Sequence, residues 1–136
     1  MGVVVPHKAI DIVANAKDPK KAILDTLGDY SGYEVTHNWV LMATFFRPQK
    51  TSGGIIRPDS NVEEDMWQSK VGLIIQLGPE AFKETVDYSF AIKCSVGDWV
   101  TYFVNETRQQ SVNGYPCRII RDANITGRAK DPMMVF

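Results

Sequence analysis

The chain has 136 residues, enough for one domain with a self-sufficient core. Hydrophobic residues make up 44% and charged residues 23%, which excludes wholesale disorder. A net charge of -1 argues against a dedicated nucleic-acid binder, and two cysteines cannot form a disulfide framework.

The N-terminal third reads as helical. Residues 7–16 are apolar at Ile10, Val13 and Ala14, a helical spacing. A better-defined helix follows: Asp18 can N-cap, Pro19 suits the first turn, Ile23, Leu24 and Leu27 recur on one side, and Gly28 ends it. The start of the chain lacks the basic residues and long apolar run of a signal peptide, and no segment reaches the ~20 apolar residues of a membrane span. These features imply a reducing cytosol and no membrane partner.

The pattern changes at Tyr33. Residues 39–46 form a β-rich run too continuous for a one-sided surface strand, and 71–77 form a second strand closed by Gly78-Pro79. A third strand, 99–104, is entered through the turn Val96-Gly97-Asp98. Ser111-Val112 and residues 117–120 flank Asn113-Gly114, a strong hairpin signal, and Ile125 begins a last short strand. Short strands punctuated by Gly and Pro predict a mainly β protein, a small β-barrel. The expected core comprises Val40, Leu41, Ala43, Phe45, Val71, Leu73, Ile75, Val100, Tyr102, Ile119 and Ile120, with Trp39 and Trp99 also packed inward.

The search for catalytic chemistry is negative. His7 and His37 have no partners at metal-ligand spacing. Cys94 and Cys117 fall in or beside strands, where free cysteine acts as a small hydrophobe. Neither a nucleophile elbow nor a phosphate loop is present. The expectation is no catalytic residue, no metal and no cofactor. The acidic run Glu63-Glu64-Asp65 reads as a solvated loop face.

The long polar segment 47–68 is the main functional candidate, because structureless loops beyond about 12–15 residues are usually functional or disordered. Its sequence KTSGGII at 50–56 resembles the mobile-loop signature of the GroES-type co-chaperonins. Around it WVLMATFFR at 39–47, KVGLIIQLG at 70–78, KCSVGDWVTYF at 93–103 and CRIIRDANI at 117–125 are similar to successive segments of that family, in the same order. The resemblance is greatest to the phage-encoded branch. It implies a small GroES-like β-barrel over 34–128 carrying the long mobile-type loop, with an N-terminal helical extension over 1–33 and a C-terminal tail over 129–136.

The resemblance also implies a function. Gly53 and Gly54 would supply flexibility, and Ile55 and Ile56 the apolar anchor for a host chaperonin. Arg57 stands where the family has a third hydrophobic residue. Read from its position alone, Trp67 closes the long loop and would anchor it to the barrel or to a neighbouring subunit. The chain would then be a homo-oligomeric co-chaperonin of the host cytoplasm, acting while capsid protein folds. Ring closure would pair a strand near Trp39 with one near Ile125 of the next subunit. The alternative is a virion component, a capsid decoration or head-stabilising protein with phage capsid protein as partner, its N-terminal helix and C-terminal tail clasping neighbours.

Overall fold

The computed structural model describes residues 17–46, 70–84, 89–90 and 92–135. Helix α1 spans Pro19–Leu27. Its boundaries follow from local chemistry: the Asp18 carboxylate accepts a hydrogen bond from the Lys21 amide, and Gly28 ends the helix at a φ of 67° with its N–H bonded to the Leu24 carbonyl. The helical expectation for 7–16 lies outside the described residues. Ile23 and Leu27, one turn apart, are fully buried, so the helix is docked by one stripe.

Six strands follow: β1 (Trp39–Thr44), β2 (Val71–Leu77), β3 (Trp99–Tyr102), β4 (Arg108–Val112), β5 (Tyr115–Arg121) and β6 (Ile125–Ala129). They form one antiparallel sheet in the order β4-β5-β1-β2-β3-β6. The mainly β expectation is met, in a form consistent with a small GroES-like β fold. The Asn113-Gly114 turn has φ of 52° and 81°, the double positive-φ geometry that suits a two-residue hairpin. β3 is shorter than expected, because the chain enters a 3₁₀ turn at Val104–Glu106. β4 is longer than Ser111-Val112 suggests. Its polar residues Arg108, Gln109 and Gln110 hide a strand at the sheet edge, where alternation is not required.

One expectation about assembly is corrected by this topology. The strand at Trp39 is not an edge: β1 lies inside the sheet, hydrogen-bonded to β5 on one side and β2 on the other. Among the described strands the edges are β4 and β6.

Both faces of β1 are covered, which explains its unbroken hydrophobic run. Odd-numbered Leu41, Ala43 and Phe45 join Leu73, Ile75, Trp99, Val112, Tyr115 and Cys117 in a core that also takes Ile23, Leu27 and Val35. Even-numbered Val40 and Met42 join Ile74, Val100, Tyr102 and Ile120 in a second core, closed by Phe82 and Cys94. Residues of β1 to β5 therefore meet in the first cluster, with α1 against them. The predicted core residues are all buried except Ile119, which is half-buried against the first cluster. Trp99 is buried, whereas Trp39 is half-buried beneath the Arg121 guanidinium, 4.7 Å from the ring centroid. After β6 the chain turns back: Pro132 is buried and Val135 packs on the first cluster, so this part of the tail lies against its own subunit.

Candidate functional site

The candidate partner-binding residues Gly53, Gly54, Ile55, Ile56 and Arg57, and the expected anchor Trp67, lie outside the described residues, as does His7. The structure does describe the two points where the chain leaves and re-enters the sheet around that segment. Departure is at Phe45 and Phe46, both buried. Return is at Lys70 and Val71, and the Phe45 amide donates to the Val71 carbonyl at 3.2 Å, extending the β1–β2 ladder to the last described residues.

Both aromatic residues at the departure point are braced. The Phe45 ring meets Trp99 edge-to-face at a centroid distance of 5.3 Å, and Phe46 meets Tyr115 in the same way at 6.0 Å. The Tyr115 hydroxyl donates to the Thr44 carbonyl at 2.7 Å. Tyr115 is fully buried, and burial holds its phenol well above the usual range, so it acts as a fixed donor. Sequence reasoning missed both Phe46 and Tyr115. The signal for Tyr115 was its place directly after Asn113-Gly114, two residues before Cys117 and so on the same face of the strand.

At the other end of the sheet, Asp122 ties three segments together. Its carboxylate accepts from the Asn38 side-chain amide at 3.1 Å and from the Phe82 backbone amide at 2.9 Å. Those bonds satisfy a nearly buried charge and fix the segment after β2 over the second core. An open groove of about 700 Å³ runs beside it, lined by His37, Glu80, Lys83, Phe90 and Arg121 among others. Charges of both signs line it.

The residues considered for catalysis take structural places. His37 is an exposed turn residue at φ 51°, and its carbonyl accepts the Glu80 amide. Cys94 and Cys117 are buried in different cores. Burial raises both thiols, Cys117 to about 12, which keeps them protonated and poorly nucleophilic at neutral pH. Among the described residues no group of three His, Cys, Asp or Glu side chains could hold a metal ion, and no helix is long and apolar enough to cross a membrane.

No curated protein matches the chain. A family model does: the chaperonin 10 kDa subunit matches residues 33–129, from the tyrosine where the sequence pattern changes to the last residue of β6. That span is well over half of the chain and includes every strand of the sheet. The protein therefore belongs to the Cpn10 family, the chaperonin 10 kDa subunits.

Proposed function

We propose that the protein is the co-chaperonin subunit that engages a host chaperonin through residues 53–57, in the phage setting that its sequence resemblance implies. The family supports a co-chaperonin role, with a chaperonin as partner and an oligomer as the working form; the family is non-catalytic. The observation that carries the reading is the match over 33–129, which spans the long segment together with the sheet on both sides of it. The physical logic is that Gly53 and Gly54 leave the backbone free while Ile55 and Ile56 offer apolar surface to a groove. Arg57 would weaken each contact, since one fully buried apolar side chain contributes about 1.5–3 kcal/mol. Several weak contacts in one oligomer would be joined by avidity.

The test is recovery of host chaperonin on the tagged protein in the presence of ATP. Wild type should retain chaperonin. Replacing both Ile55 and Ile56 with Ser should abolish recovery without unfolding the sheet, and Arg57→Leu should increase it. No recovery with any of the three would defeat this reading. Copurification with virions at capsid-scale copy number would then favour the capsid-component alternative.

A further inference from the structure

Residues 27–35 run from the β4–β5 hairpin to β2, two elements that do not touch in the strand order β4-β5-β1-β2. At the hairpin end, the Asn113 side-chain amide donates to the carbonyls of Leu27 and Asp29, at 2.8 and 3.0 Å. These are carbonyls at and just beyond the end of α1, which a helix cannot satisfy internally. Leading into that grip, Ile23 and Leu27 of α1 enter the first core. At the β2 end, the Gln76 side chain acts as a strand would: its Nε2 donates to the Tyr33 carbonyl and its Oε1 accepts from the Val35 amide, both at 2.6 Å. The Tyr30 hydroxyl donates to the Ile75 carbonyl at 3.2 Å, and Gln110 of β4 donates to the Tyr33 hydroxyl.

From these contacts we infer that residues 27–35, seated by α1, are a strap that fixes the β4–β5 hairpin relative to β2 across the first core. Most of the strap precedes residue 33, where the family match begins. The folding unit is thus longer than the family domain, and the helical extension is part of it. Three features separate a strap from an appended helix. The grips fall on strands that do not neighbour each other. The grips are side-chain amides matched to backbone groups. The apolar residues Ile23 and Leu27 that lead into the hairpin grip are fully buried and shared with those of β1 to β5, and Tyr30, between the grips, packs against the same core. A free nine-residue helix would also be marginal in water, so α1 depends on the sheet as the hairpin depends on α1. The same hairpin carries Tyr115, which braces Thr44 and Phe46, so the strap reaches the departure point of the long segment through two contacts.

Hydrogen exchange on the full chain tests this. In the unmodified protein, the amides of α1 and β4 should open together, as one cooperative unit. Two single substitutions loosen opposite grips: Asn113→Gly removes the amide while keeping a residue suited to the positive φ, and Gln76→Glu removes the donor to Tyr33. Each should speed exchange over residues 108–112 by about tenfold, the factor expected from losing roughly one net hydrogen bond's stabilisation, with β3 and β6 unchanged. Acceleration confined to residues 19–27 would overturn the strap. So would α1 exchanging orders of magnitude faster than β4 in the unmodified chain, a result available even if a variant does not fold.

Discussion

Gly78 shows at single-residue scale why some positions accept one side chain only. A Cβ on Gly78 would sit 2.2 Å from the His37 carbonyl oxygen and 2.7 Å from that of Thr36. Both are backbone atoms held by hydrogen bonds, the His37 carbonyl accepting from the Glu80 amide and the Thr36 carbonyl from the Trp39 amide, so neither can retreat without breaking the turns that frame β1 and β2. Gly78→Ala should cost about 2–4 kcal/mol, the upper range for a single substitution, read as a lowered denaturation midpoint with an unchanged slope. Cys117 makes a different prediction. Its folded pKa of about 12 lies above the ordinary thiol value of 9.0, so the folded state holds the proton more tightly than the unfolded chain. Stability from this group is complete below pH 9 and is lost as pH rises from 9 toward 12. Tyr115, also raised, acts in the same direction. The melting temperature should fall over that range, and Cys117→Val should flatten the fall. A thiol reagent at pH 8 should label Cys117 only after denaturation. Labelling of the native protein would contradict this account.

Among the elements, those with local causes were the most legible in the sequence. Helix α1 begins and ends where Asp18, Pro19 and Gly28 place it, because caps act within one turn. The Asn113-Gly114 hairpin likewise needs only its own residues. What the pattern concealed was non-local. Met42 and Ile74 were absent from the expected core, and only the observed pairing divides β1 and β2 between two cores, one on each face. Edge strand β4 looked too polar. The central position of β1 depends on which strands pair, and a single sequence does not display pairing. The same holds around the candidate site: its residues are named only through a family signature and lie outside the described residues, while Phe46 and Tyr115, which frame the departure of that segment, are far apart in sequence. The helix cap offers a direct measurement at this scale. Asp18→Ala removes the acceptor for the Lys21 amide and should cost about 1 kcal/mol. Because α1 shares its buried residues with the sheet, the loss should appear in global thermal unfolding of the whole protein, and a melting curve unchanged by the substitution would argue that α1 frays independently.

For the molecule as a whole, the sheet order decides where subunits can join. The family works as an oligomer, and an exposed strand edge is a template for pairing with another chain. β1 is excluded because both of its sides are occupied. β4 presents the polar Arg108, Gln109 and Gln110, a composition that discourages edge pairing. Among the described residues β6 is paired on one side only, with β3, and Phe103 lies exposed beside the pair it forms at Tyr102 and Ile125. Our assignment of the subunit contact is therefore to the outer edge of β6, and the alternation of a strand's amides supplies its test. Neighbouring residues of β6 direct their N–H groups to opposite sides, one toward β3 and the next outward. Proline removes that donor, so Arg128→Pro and Ala129→Pro should behave oppositely. One of the two should break the β3–β6 ladder and lower thermal stability. The other should leave the fold intact and convert the oligomer to monomers in sedimentation velocity. If both variants sediment with the wild-type complex while remaining folded, the joint lies elsewhere on the subunit and β6 is only an edge.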